Sequence, residues 1–180
     1  MDLDKVIQGR KSTRKFSDKK PDWREIIECI DSFRFAPMAG NIFSLKIVLI
    51  DDKNKINVIA EAAQQNFISQ AKYVVVVCSQ SERTIASYGK KGKIYLNQQA
   101  GAAIENFLLK VEEKKLATCW VGHFNERQIK EILKIPENVN IEAIFPIGYA
   151  SKLLKQGKKR KISMDEILYF NKYKNKRMGK

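Results

Sequence analysis

The run Tyr73-Val-Val-Val-Val-Cys78 is apolar without a break, which marks a strand covered on both faces, because a strand with one wet face alternates. Leu45 to Ile50 and Ile141 to Tyr149 read as further strands, and Ala117 to Val121 as a short one. Between them the period changes to that of a helix. Trp23, Ile26, Ile27, Ile30 and Phe33 recur at helical spacing from Pro21, which suits a first turn, to Ala36-Pro37. Lys53 to Phe67 reads as a second such segment, and Asn125 caps a third that runs through Leu133 and ends before Pro136. Ile94, Gln98, Gly101, Ile104, Leu108 and Val111 place one stripe along a helix of about 20 residues, or about 30 Å. Gly101-Ala102-Ala103 within it permits close approach by another helix or a subunit. Asp2 or Asp4 can cap a short opening helix through Val6 to Gln8, with Gly9 as its stop. The pattern predicts an α+β domain with four or five strands layered against helices. A doubly wound dinucleotide fold is disfavoured, because no G-x-G-x-x-G joins a first strand to a helix.

Composition changes this picture in one respect. The chain has 180 residues, 44% of them hydrophobic, and 34 Lys and Arg against 20 Asp and Glu leave a net charge of +14. The apolar runs exclude a disordered polyelectrolyte, and none approaches the roughly 18 residues of a spanning helix. The opening residues are too acidic and polar for a secretory signal, so the expected location is cytoplasmic, with no membrane partner. Cys29, Cys78 and Cys119 have neither C-x-x-C spacing nor an even count, and His123 lacks the further ligands a zinc site requires. No metal is expected. Eleven of the Lys and Arg lie between Ser151 and Lys180 against Asp165 and Glu166, so that segment carries +9 of the +14. A second cluster holds Arg10, Lys11, Arg14, Lys15, Lys19 and Lys20. The far terminus reads as a solvated basic tail, and Tyr169, Phe170 and Tyr173 also suit an arm docked on a partner subunit.

The segment Arg10-Lys-Ser-Thr-Arg-Lys-Phe16 carries chemistry. Extended backbone puts Arg10, Ser12 and Arg14 on one side, where two forked guanidinium groups and a hydroxyl suit the anionic end of an elongated ligand.

Five segments in order complete a pattern. They are Arg10 to Phe16, Ala36-Pro-Met-Ala-Gly-Asn41, Ala117-Thr-Cys-Trp-Val-Gly-His123, Ile132-Leu-Lys-Ile-Pro136, and Ile144-Phe-Pro-Ile-Gly-Tyr149 followed by a basic stretch. Together they resemble the FMN-dependent nitroreductase family over residues 3 to 168. The resemblance implies a three-layer sandwich, a central mostly antiparallel sheet flanked by helices, in an intertwined homodimer with FMN between the subunits. Residues 1–168 would form the FMN-binding domain and 169–180 the basic tail or docking arm. Arg10 and Ser12 would meet the FMN phosphate with Lys11 and Thr13 beside them, and Arg14 would approach the N1/O2 edge of the ring. Arg160 would join at the phosphate. Pro37, Met38, Ala39, Gly40 and Asn41 match a loop that packs on the flavin from the partner subunit. Gln65 matches an amide near the pyrimidine, with Gln64 and Asn66 as alternative registers. Cys119, Trp120, Val121 and Gly122 match a turn near the dimethylbenzene side or N5.

The implied reaction is oxidoreduction by FMN, with NADH or NADPH as reductant and a small nitroaromatic, quinone or similar conjugated molecule as acceptor. No catalytic side chain is implied, because the chemistry is the cofactor's. A flavin-binding protein without nicotinamide turnover is the alternative. A nucleic-acid-binding domain is the reading that the resemblance displaces. Longer family members carry an additional helical excursion over the flavin, and here only the short polar segment Ser81 to Lys93 is available as a cover.

Overall fold

The computed structural model describes residues 2–152 and 162–179. In chain order the elements are α1 (Leu3–Gly9), α2 (Trp23–Asp31), β1 (Leu45–Ile50), α3 (Lys53–Ala62), β2 (Tyr73–Gln80), α4 (Glu82–Tyr88), α5 (Lys91–Glu113), β3 (Ala117–Thr118), α6 (Glu126–Leu133), β4 (Val139–Gly148) and α7 (Met164–Ile167). Short 3-10 turns follow α2 (Ser32–Phe35), precede β1 (Ala39–Asn41) and follow α3 (Asn66–Gln70).

The four strands form one antiparallel sheet in the order β1-β2-β4-β3. Its alternate residues feed two separate cores. On one face Leu45, Tyr73, Val75, Val77, Ala143, Phe145 and Ile147 pack against Ile26, Cys29 and Phe33 and against Ala103, Phe107 and Val111 of α5. On the other, Val74, Val76, Cys78, Ile141 and Ile144 pack against Ile56 and Ile59 of α3 and Ile129 of α6. Helices therefore cover both faces, which explains the unbroken valine run, and the three-layer α+β sandwich stands as expected.

Three helices end alike, and one of these ends shows where the sequence pattern misleads. After α3, Gln64 turns left-handed (φ 52°), with Gln64 N–H bonded to Glu61 C=O and Gln65 N–H to Ala60 C=O. Lys115 after α5 and Lys134 after α6 repeat the same two-bond closure, Leu116 N–H reaching Val111 C=O and Ile135 N–H reaching Lys130 C=O. These are Schellman ends made without glycine. Consequently the segment expected as one helix from Lys53 to Phe67 stops at Ala62 and continues as the turn Asn66–Gln70. Gly9 lies inside α1, whose C-cap is Arg10, and the Asp2 side chain makes no capping bond. Asn125 caps α6 as expected, accepting from Gln128 N–H. The expected strand Ala117 to Val121 shrinks to Ala117–Thr118, beyond which Val121 touches the sheet only by a bridge to Ile144.

The stripe on α5 is also rotated from expectation in its first half. Leu96, Gln99, Ala100 and Ala103 are buried, whereas Ile94 is 56% exposed and a side chain at Gly101 would meet nothing within this chain. The outward face of α5 thus carries an apolar residue and small residues.

Candidate functional site

The segment after α1 joins the sheet at its β3 edge. Ser12 bridges Thr118 in parallel, Thr13 N–H donates to Thr118 C=O at 2.8 Å, and Phe16 bridges Ala150 in antiparallel fashion. Ser17 N–H reaches Tyr149 C=O and Ser151 N–H reaches Lys15 C=O. Phe16 is the anchor: buried with Ala71 and Ala117, it also lies so close to Gly148 that a Cβ there would stand 3.0 Å from its ring. Anchored this way, the extended stretch faces Thr13 inward, 1% exposed, and leaves Ser12 and Arg14 exposed, as the alternation requires.

Arg10 is half-buried, with Nε 3.6 Å from Oε1 of Glu105 on α5. Arg14 has no carboxylate partner among the described residues. Lys11 and Thr13 line a separate cavity of about 210 Å³ together with Glu112 and Lys115. On the strand that pairs with Ser12, Thr118 Oγ1 is buried without a hydrogen-bond partner among the described residues.

Two further expected segments arrive at the same edge. The turn Cys119–Gly122 follows β3 directly, with Cys119 and Val121 buried and Gly122 exposed. Trp120 is 43% exposed and packs edge-on to Phe145, ring centroids 5.8 Å apart, so it is both a cap on the core and a surface aromatic. Gln65 is half-buried and opens the turn whose last residue, Gln70, accepts the Phe16 N–H at 3.2 Å through its side-chain oxygen. Gln70 is a contributor that the sequence reading missed. Its amide-rich surroundings, Gln64, Gln65 and Asn66, carry no signal that singles it out.

The fourth segment lies elsewhere. Pro37, Gly40 and Asn41 are exposed, Met38 and Ala39 half-buried, and Gly40 and Asn41 both adopt left-handed backbone (φ 58° and 56°). This loop precedes β1, at the end of the sheet where Leu45 pairs with Ser79 and Ser79 with Asn140. Thr118, beside Ser12, pairs with Ile147. Asn140 and Ile147 are seven residues apart on β4, roughly 23 Å at the ordinary strand rise. Within one chain Arg10–Arg14 and Cys119–Gly122 meet at the β3 edge, the turn that Gln65 opens reaches it through Gln70, and Pro37–Ala39 line a cavity with Gln98, Gln99 and Ala102 of α5. Arg160 lies outside the described residues.

The β3 edge can therefore receive an anion on guanidinium, ammonium and hydroxyl donors beside an exposed indole. Among the described residues no group of three His, Cys, Asp or Glu converges as metal ligands, and no helix is long and apolar enough to cross a membrane.

The family model described as Nitroreductase family matches residues 7–70 and 58–149. This chain belongs to the nitroreductase family. Among its relatives, a provisionally named nitroreductase of Methanocaldococcus jannaschii is 33% identical over 180 residues, covering 81% of this chain and 90% of that one. A nitroreductase family structure from Clostridium novyi NT superposes with a TM-score of 0.78 at 28% identity, covering 97% of this chain and 96% of the other. A structure described as an FMN-dependent nitroreductase from Clostridium difficile R20291 gives a TM-score of 0.78 at 19% identity, covering 93% and 98%, and bears on the fold alone. The match runs from within α1 to Tyr149, just past the end of β4.

Proposed function

We propose that the chain is an FMN-dependent oxidoreductase of the cytoplasm, active as a homodimer, that takes electrons from NADH or NADPH and passes them to a nitroaromatic, quinone or similar conjugated acceptor. The observation that carries this reading is the β3 edge, where an arginine-rich extended segment, a strand-end turn and an amide-bearing loop converge. The donor set fits a phosphomonoester: Arg10 and Arg14 supply forked donors, Ser12 a neutral one, and Lys11 and Arg160 further charge. Arg14, toward the ring, would favour negative charge on it, and the turn Cys119–Gly122 would close the opposite side through backbone groups and Trp120. When bound, FMN supplies the redox chemistry, accepting hydride from the nicotinamide and releasing electrons to the acceptor. What the protein contributes is position, charge and exclusion of water.

Pro37–Asn41 packs along α5 at Gln98, Gln99 and Ala102 and not on Ser12, Thr118 or Cys119–Gly122, which suits a loop offered to a second copy. Exposed apolar side chains support the same assembly: Ile94 on α5, Leu3 and Ile7 on α1, and Phe35 after α2. A groove of about 420 Å³ between α1, the Ser32–Phe35 turn and α5 is lined by Leu3 and Phe35 of this set. Residues 162–179 fold locally around α7, with Asn175 bonded to Phe170 C=O and to Arg177 C=O and with Ile167, Leu168 and Tyr173 exposed, a form suited to an arm that docks on the partner.

Anaerobic titration of the FMN-loaded protein with NADH and, separately, NADPH tests the proposal. Bleaching of the flavin absorbance by either, and recovery on adding a quinone, is the expected result. A protein that takes up no FMN overturns the reading, and one that is bleached only by a chemical reductant is a flavin binder without nicotinamide turnover.

A further inference from the structure

Gln99 is polar, sits in the middle of α5 and is 4% exposed. Both ends of its amide are engaged by the chain that follows the Pro37–Asn41 loop: Oε1 accepts the Ser44 N–H at 3.1 Å, and Nε2 donates to Ile42 C=O at 3.0 Å. Ser44 is itself buried, and its Oγ lies 2.9 Å from Oγ1 of Thr84, the buried residue of α4. Its C=O accepts from Gln80 N–H at the end of β2. Three buried polar side chains, from α5, α4 and the loop before β1, thus meet at one junction, where apolar residues of similar size would fill the space.

The same two elements touch again further out. A Cβ on Gly40 would stand 2.5 Å from Tyr88 Oη, so the end of α4 rests against the crest of the loop, and Tyr88 packs edge-on to Tyr95 of α5. Gln99 also lines a cavity of about 300 Å³ with Pro37, Met38, Ala39, Tyr95 and Ala102. Loop and cover helix are therefore tied at two levels to one side chain's neighbourhood.

We propose that Gln99 is a positioning residue: through Ile42, Ser44 and Thr84 it locks the Pro37–Asn41 loop and the cover helix α4 into one unit. This inference rests on the reading that the loop faces the flavin of a second copy, and it implies that the height of the cover over the acceptor is set jointly with the flavin contact. The chemistry is that of a buried hydrogen-bond network, in which each partner loses its orientation when one member is removed.

Amide hydrogen exchange on the flavin-free protein reads the coupling directly, with Asn41 and Ile42 N–H reporting on the loop, Ile85 and Gly89 N–H on α4, and Val75 N–H as the core control. Gln99→Leu is expected to speed exchange in both loop and α4 by tenfold or more with Val75 unchanged. Thr84→Val should free α4 alone, and Thr84→Ser should restore the native rates. In the FMN-loaded enzyme Thr84→Val should raise the acceptor KM several-fold with kcat within twofold, and Thr84→Ser should reverse it. Unchanged α4 exchange in Gln99→Leu, or equal acceleration at Val75, overturns the coupling. An acceptor KM unmoved by Thr84→Val overturns its link to the site. Failure to take up FMN overturns the flavin reading and is seen separately from the exchange result.

Discussion

Glu105 is a carboxylate within reach of a guanidinium proposed to hold a phosphate, and removing its charge gives a test with a sign. Arg10 Nε and Glu105 Oε1 are 3.6 Å apart, with the side chains 33% and 50% exposed. An ion pair so exposed is worth about 0.2–1 kcal/mol, so Arg10 can exchange partners at little cost. A phosphate on Arg10 would lie about 6 Å from Glu105, where two unit charges in water repel by about 0.7 kcal/mol. Glu105→Gln should therefore tighten FMN binding about two- to fivefold. Arg10→Gln removes a charge-assisted hydrogen bond worth about 1.5–3 kcal/mol and should weaken it tenfold or more. In the double variant the gain from Glu105→Gln should persist in part, because the repulsion acts on the phosphate as well as through Arg10. Titration of FMN fluorescence at low and high salt measures all four proteins, and the Glu105→Gln advantage should shrink as salt rises. The reasoning fails if Arg10→Gln binds FMN as well as the native chain, or if Glu105→Gln weakens binding.

Three more outcomes follow from particular contacts. Gly40→Ala places a Cβ on left-handed backbone and against Tyr88 Oη, and urea unfolding should show a loss of about 1–2 kcal/mol for the backbone, with an added part that Tyr88→Phe relieves. No loss in the single variant would refute the strained geometry. Burial is the leading cause that pushes the Cys29 thiol up to about 12 and the Cys78 thiol up to about 11 from an ordinary 9.0. From about pH 9 the unfolded chain releases protons that the native chain keeps, so stability should fall as pH rises through 9 to 11; a flat profile in that window would contradict it. Ile94→Asp puts a charge on the outward face of α5, and sedimentation should then show a monomer with weakened FMN binding; a stable dimer that binds FMN normally would move the interface elsewhere.

The strands could be read from the sequence because they are buried on both sides, so that pattern and length agree at Tyr73 to Cys78 and at Leu45 to Ile50. The long helix was legible in extent but not in rotation. Ile94 and Leu96 are 200° apart on a helical wheel, and Gly101, Ala102 and Ala103 are small enough to suit either a packed or an outward face. Gln98 and Gln99 are identical in type, yet Gln98 is exposed and Gln99 is 4% exposed with both amide ends bonded. Periodicity counts both as polar and places neither. The end of α3 failed for a different reason: Gln64 adopts the left-handed turn that glycine usually marks, so the stop has no signature in residue type.

The candidate site divides along the same physical line. The outward placement of Ser12 and Arg14 about a buried Thr13 was legible because extended backbone forces alternation, and the anchoring of Phe16 against Gly148 and Gln70 preserves that alternation in the fold. The place of Pro37–Asn41 was not legible, because it depends on how the chain returns to β1 along α5, where Pro37, Met38 and Ala39 line a cavity with Gln98, Gln99 and Ala102. Under the proposed dimer the outward, sparsely covered face of α5 and the exposed residues of α1 acquire a common cause, since a surface that meets a second copy is not polar in the way a solvated helix face is.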